Sequence, residues 1–213
     1  MNQYIDVIYY INLDHRTDRN EQIMDELQKM EINSEKIVRI PAMYREHGDV
    51  GCSLSHAKTI ETFLASPHQH CLILEDDFMF TMDKDTTNGM IDHFFSSKIN
   101  YDVCNLSTNM HPRTVDHSEY SFVKCVLEAS TTSGYMLSKQ FASTLLNNVR
   151  EGAHLLETEC YAKNNISLKF HYAVDSYWKH LQPTSQWYMF WPKLGKQRAS
   201  WSDVQQNYED YNT

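Results

Sequence analysis

The chain has 213 residues, 41% of them hydrophobic and 22% charged, the make-up of an ordinary soluble globular protein with room for one large domain or two small ones. Its formal charge is −9, and no basic stripe or block occurs. That balance argues against nucleic acid as a partner, because such binding needs clustered Lys and Arg.

The elements follow in order. Tyr4 to Asn12 is rich in β-branched and aromatic residues and reads as a first strand. Asp14 to Asp18 is polar and offers caps to a helix over Arg19 to Met30, where Ile23, Leu27 and Met30 recur at helical spacing. Lys36 to Ile40 is a short second strand stopped by Pro41, and His47 to Gly51 reads as a turn. Cys52 to Ala65 reads as a helix with Leu54, Ala57, Ile60 and Leu64 on one face, ended by Pro67. Cys71 to Glu75 is a third strand. A polar loop over Asp83 to Asn88 leads to a helix over Gly89 to Ser97, and Tyr101 to Leu106 is a fourth strand.

Ser107 to Glu119 reads as loop, with extended segments at Tyr120 to Leu127 and Thr131 to Met136. Ser138 is a candidate N-cap for a helix reaching about Val149. Gly152 to Leu168 has no clear period. Asp175 precedes a short helix, Ser176 to Leu181, and Trp187 to Trp191 reads as an extended core segment. The alternation of strand and helix in the first half predicts an α/β fold with a mostly parallel sheet and helices on both faces. In such sheets ligands sit outside the carboxyl ends of the strands. The segments Asn12 to Arg19, the Gly51 turn and Glu75 to Asp77 are expected to meet there.

The run Leu72-Ile73-Leu74-Glu75-Asp76-Asp77 is the most informative. Three adjacent carboxylates at the end of a buried strand repel one another unless a cation sits among them. Oxygen ligands of this kind suit Mg²⁺ or Mn²⁺; the rival is a solvated acidic turn. Arg16 and Arg19 match the geometry of a diphosphate, or else form local pairs with aspartates. Gly51-Cys52-Ser53-Leu54-Ser55-His56 either presents free amides to an anion or contains only a helix cap and a buried histidine. No G-x-G-x-x-G or Walker sequence occurs. The five cysteines are widely spaced with no C-x-x-C, which points to buried thiols rather than to a disulfide framework or a zinc knot. No apolar stretch is long enough to span a bilayer, and Met1 to Asp6 does not resemble a signal peptide. A cytoplasmic location with no transmembrane segment is therefore the expectation.

Taken in order, Ile11-Asn12-Leu13 with Arg16 and Arg19, then Gly51 to His56, then Leu74-Glu75-Asp76-Asp77 resemble glycosyltransferase family 25, which includes lipopolysaccharide and procollagen galactosyltransferases. Ser133-Gly134-Tyr135-Met136-Leu137-Ser138, Ala173-Val174-Asp175, and Pro192 with Gln197 and Ser202-Asp203-Val204 extend the resemblance over nearly the whole chain. The resemblance implies a GT-A type fold, a UDP-sugar donor, a divalent metal (Mn²⁺ or Mg²⁺), and transfer of galactose or glucose with inversion to a glycan or protein hydroxyl. It makes Glu75 and Asp77 the metal ligands, and makes Asn12, Leu13, Arg16, Arg19, Ser55, His56, Asp76 and Gln197 the donor contacts. Asp175 is the first choice of base, against an N-cap role, with Glu128, Asp116 and Glu157 behind it. Residues 1–213 are expected to form one domain, with a nucleotide-sugar half over 1–106 and an acceptor-side half with the C-terminal segment over 107–213. Two other classes remain: an inactive nucleotide-sugar or carbohydrate-binding module, and a metal-dependent phosphoesterase. The phosphoesterase would need more closely spaced His and Asp ligands than the chain offers.

Overall fold

A computed structural model describes residues 1–202 and 207–209. In chain order these hold β1 (Val7–Asn12), α1 (Thr17–Lys29), β2 (Ile37–Pro41), α2 (Gly48–Ala65), β3 (His70–Glu75), β4 (Phe78–Phe80), α3 (Lys84–Ser96) and β5 (Val103–Asn105). There follow β6 (Arg113–Asp116), β7 (Val123–Glu128), β8 (Gly134–Ser138), α4 (Lys139–Leu155), α5 (Lys169–Tyr172), α6 (Val174–Tyr177), β9 (Trp187–Phe190), β10 (Gly195–Gln197), β11 (Ser200–Ser202) and β12 (Asn207–Glu209). Asp203 and Val204, part of the C-terminal motif, lie outside the described residues.

The main sheet has eight strands in the order β2-β1-β3-β8-β5-β9-β7-β6. Parallel pairing joins β1 to β2 and β3, and β5 to β9. The strands β8 and β7 run against the other six, so the sheet is mostly parallel in direction, as expected. β3 is buried on both faces, which is why it reads as an unbroken apolar run. Strand alternation divides its side chains. Leu72 and Leu74 join the core beneath α1 and α3 with Ile23, Leu27 and Phe94. Cys71 and Ile73 join the opposite core beneath α2 and α4 with Ile60, Phe63, Tyr135 and Leu145. Glu75 continues the second set and so faces α2.

Several boundaries differ from the sequence reading. α2 begins at Gly48, so Gly51 lies inside its first turn and its N–H is bonded to the His47 carbonyl at 3.1 Å. Of the two readings of this segment, an anion site at the Gly51 amide is therefore closed. Gly51 is needed for close approach instead, because a Cβ there would collide with the Met43 carbonyl. The buried residues of α2 include Ser53, Ser55, His56 and Thr59 beside Ala57, Ile60 and Phe63, so the helix turns a partly polar face inward. Asp83 to Asn88 is not a loop. Asp83 caps α3 by accepting the Thr86 N–H at 2.8 Å. The segment 107–119 contains β6, an exposed edge strand whose polar residues hide the alternation. Ser138 precedes α4 as expected but makes no side-chain cap, and α4 runs on to Leu155 with a π-helical turn through Tyr161.

β4 gives no signal in the sequence because Phe78 and Phe80 look like the continuation of a loop. It pairs antiparallel with β10, Gln197 opposite Phe78 and Gly195 opposite Phe80. The fully buried Phe78 ring lies between two glycines, Gly134 on β8 and Gly195 on β10. A Cβ at either position would overlap that ring. Glu26 of α1, also buried, accepts the Phe80 N–H at 3.1 Å and Arg198 Nη2 at 3.2 Å. The turn that carries Asp76 and Asp77 is thus fixed between α1, β8 and β10.

Gly195→Ala is expected to cost about 1–3 kcal/mol in denaturant unfolding, the usual range for overpacking. Gly89→Ala, in the interior of α3 where a Cβ meets nothing within 4 Å, is the control and should gain about 0.5–1 kcal/mol.

Candidate functional site

The carboxyl ends of β1 and β3 open into a cleft of about 1010 Å³. Its lining includes Asn12, Leu13, His15, Arg19, Ser55, His56, Glu75, Asp76, Asp77, Asp175 and Gln197. The metal, donor and first-choice base candidates therefore all border one space except Arg16, and the lesser base candidates Asp116, Glu128 and Glu157 lie away from it. Arg16 forms a two-pronged pair with Asp18, at 3.0 and 2.9 Å, and is not among the lining residues.

β3 ends at Glu75, and Asp76 and Asp77 lie in the turn before β4. The three carboxylates consequently point to different partners. Glu75 Oε1 accepts from Thr132 Oγ1 and lies 3.2 Å from His56 Nε2, while His56 Nδ1 lies 3.0 Å from the Tyr135 hydroxyl. Burial pushes the Glu75 carboxyl up, but the His56 and Thr132 contacts bring it below its usual value. Asp76 accepts from Asn12 Nδ2 at 2.8 Å and from Arg19 Nη1 at 3.0 Å. Burial leaves its carboxyl above the usual value despite that guanidinium.

Asp77 is placed differently. Its Oδ2 receives Gln197 Nε2 at 3.1 Å and Arg19 Nη1 at a weaker 3.4 Å. Its Oδ1 is buried without a hydrogen-bond partner. Burial, with the Glu75 charge beside it, pushes the Asp77 carboxyl up to about 7. A buried oxygen with no donor and a cluster with excess negative charge match what a hard divalent cation would supply, and the donors at Glu75 and Asp77 are all oxygen. The residues present fit such an ion.

Asn12 Nδ2 also donates to the Arg16 carbonyl, and its Oδ1 accepts from Arg39 Nε at 3.1 Å. Its side chain therefore braces the Asp76 turn. Ser55 Oγ donates to the Gly51 carbonyl at 2.6 Å and accepts the Met43 N–H at 2.8 Å, so it fixes the 42–47 loop to α2. His56 is buried and serves Glu75. Leu13 and Arg19 line the floor. Gln197 reaches it from β10, and the next residue, Arg198, donates its backbone N–H to the Asp77 carbonyl at 2.7 Å.

Asp175 lies in the first turn of α6, whose N-cap is Ala173, so its carboxylate is not the cap. Its Oδ2 accepts the Thr131 N–H at 3.1 Å. Thr131 holds φ at +83°, a costly conformation for a β-branched residue. The strain aims its amide at Asp175. Burial, and then the Glu75 charge, raise the Asp175 carboxyl.

Four contributors escaped the sequence reading. Tyr135 and Thr132 orient His56 and Glu75, and Arg39 and Glu26 brace the floor from the α1 side. Tyr135 sits in the Gly134-Tyr135-Met136-Leu137-Ser138 motif, which is the signal that could have found it. Cys52 lies one helical turn before His56, and burial with the Glu75, Asp175 and Asp77 charges pushes its thiol well up. Among the described residues no helix is long and apolar enough to cross a membrane.

The model of glycosyltransferase family 25 (LPS biosynthesis protein) matches residues 5–161. No curated protein sequence matches the chain. Among solved structures, the chain is similar to a glycosyltransferase involved in the glycosylation of the major capsid of PBCV-1, with a TM-score of 0.44 at 12% identity over 86% of this chain and 80% of that one. It is also similar to a mannose-1-phosphate geranyltransferase from Thermus thermophilus, with a TM-score of 0.48 at 7% identity over 88% and 73%. A third is the glycosyltransferase GlyE in Streptococcus pneumoniae TIGR4, with a TM-score of 0.45 at 12% identity over 87% and 45%. Likeness of this extent does not reach from fold to substrate.

The raised Asp77 carboxyl has a consequence for stability. The folded state keeps that proton up to about pH 7, whereas the unfolded chain releases it near 3.8. The contribution is complete below the unfolded value and is lost as pH rises through the folded one. Metal-free protein is therefore expected to lose stability between about pH 4 and 8, on the order of a few kcal/mol from this group. Asp77→Asn should flatten that part of the profile, measured by urea unfolding across the range in the presence of a chelator.

Proposed function

The chain belongs to glycosyltransferase family 25, and from that premise we propose that the cleft transfers a hexose, galactose or glucose, from a UDP-sugar to a hydroxyl of a glycan or protein acceptor, with inversion at the anomeric carbon. The observation that carries the reading is the unpartnered Asp77 Oδ1 in the same cleft as the raised carboxyl of Asp175. Glu75 and Asp77 would hold Mn²⁺ or Mg²⁺. When bound, such an ion supplies Lewis-acid neutralisation of the charge that grows on the departing diphosphate.

The chain's own residues do the rest. Arg19 bridges Asp76 and Asp77 and keeps both at the floor, with its positive charge on the donor side of the cleft. Leu13 and His15 border the space for the nucleotide. Gln197, on the β10 segment clamped by Arg198 and Glu26, holds Asp77 Oδ2 and leaves Oδ1 for the cation. Asp175, held through Oδ2 by the Thr131 amide, takes the proton of the acceptor hydroxyl as that oxygen attacks the anomeric carbon. A carboxyl raised by burial suits this role, because a general base works best with a pKa close to the operating pH. The lipopolysaccharide named in the family's description is the first acceptor to try, and a hydroxylated protein is the second.

A panel of UDP-sugars, each with Mn²⁺ or Mg²⁺, tests the reading by UDP release with and without chelator. Metal-dependent turnover with one of them is expected. Asp175→Asn should bind the donor normally and lose about 10²–10⁴-fold in kcat. Asp77→Asn should lose metal dependence together with about 100-fold or more in rate. Absence of turnover, and of thermal stabilisation by every UDP-sugar, would refute the transferase reading, whereas stabilisation without turnover would leave a nucleotide-sugar-binding module.

A further inference from the structure

Cys52 and His56 stand four residues apart on α2, so their side chains share one face of the helix. That face meets Glu75 at the end of β3. A ligand atom from each of the three, a thiol sulfur, an imidazole nitrogen and a carboxylate oxygen, lies within 4.8 Å of the other two. This donor set is not the all-oxygen set of Asp77. Sulfur, nitrogen and oxygen together suit a thiophilic divalent ion, above all Zn²⁺, whose bonds of about 2.0–2.3 Å fit such a triangle after small side-chain movements.

The hydrogen bonds that would support such a site are also in place. The Tyr135 hydroxyl lies 3.0 Å from His56 Nδ1 and turns Nε2 towards Glu75. A hydroxyl can donate to that ring nitrogen or accept from it, so it can support His56 with Nε2 free to bind a metal. Cys52 and Glu75 both border the cleft, which leaves a fourth coordination position open to water.

We propose that Cys52, His56 and Glu75 form a zinc site, separate in ligand chemistry from the oxygen site at Asp77 but sharing Glu75 with it. The thiol proton leaves to solvent as the sulfur–zinc bond forms. Because Glu75 cannot serve both ions fully, zinc occupancy opposes the donor metal and inhibits transfer. That inhibition rests on the glycosyltransferase reading, whereas the zinc site does not.

Cobalt(II), a spectroscopic stand-in for zinc, is titrated into the purified protein. A near-ultraviolet thiolate-to-cobalt charge-transfer band should appear and vanish with one equivalent of Zn²⁺. In Cys52→Ser the band should be absent and the zinc Kd, read by competition with a chromogenic chelator, at least tenfold weaker. Cys125→Ser, on β7, should match the unmodified protein. No band in the unmodified protein, or an unchanged zinc Kd in Cys52→Ser, overturns the site. Should Cys52→Ser fail to fold, the unmodified protein decides: zinc must slow alkylation of Cys52 by iodoacetamide, and unslowed alkylation also overturns the site. In the activity arm, micromolar Zn²⁺ should inhibit UDP release and excess Mn²⁺ should restore it. Zinc binding without any UDP-sugar turnover would retain the site and refute the glycosyltransferase reading instead.

Discussion

The structure turns on an unbalanced charge. Glu75, Asp76 and Asp77 arrive together at the end of a strand whose four middle residues are buried, and of the three the Arg19 guanidinium bridges the last two, closely at Asp76 and loosely at Asp77. Carboxylates in a low-dielectric site must be paired, protonated or met by a metal. The chain uses a different answer for each. Asp76 takes Arg19 and Asn12, Glu75 takes His56 and Thr132, and Asp77 keeps an oxygen without a partner and a carboxyl raised to about 7. The unmet part of the charge faces the cleft, where the proposed cation would bind.

Holding that charge in place requires distant parts of the chain. The Phe78 ring, next to Asp77, sits between Gly134 and Gly195, which brings β8 and β10 against the turn. Glu26 ties α1 to β4 and to Arg198. The strained Thr131 aims its amide at Asp175 from the loop before β8. The cleft is therefore built by both halves of the sequence, with its floor from the first and Asp175 and Gln197 from the second.

Much of this arrangement was legible in the residues. The apolar run of β3 and its acidic end marked one wall of the cleft, because burial on both faces leaves an unbroken hydrophobic signature. The convergence of the ends of β1 and β3 followed from strand–helix alternation alone. The start of α2 was not legible, since Gly48 and Gly51 look like a turn and only the contact with Met43 explains the second glycine. β4 and β6 are too short or too polar for a period to emerge. Individual roles were the hardest to read. Asn12, Ser55 and His56 look like ligand contacts in a motif, yet each spends its hydrogen bonds inside the protein, bracing the groups that face the cleft. That distinction depends on distances, which a linear motif does not contain.

The most direct test of the account is where a cation sits. Crystals grown with UDP and Mn²⁺, measured at a wavelength where manganese scatters anomalously, should show one strong anomalous peak in the cleft, in coordination contact with Asp77 Oδ1 and with a diphosphate oxygen. A manganese peak away from Asp77, or UDP bound in the cleft with no ion beside that carboxylate, would contradict it.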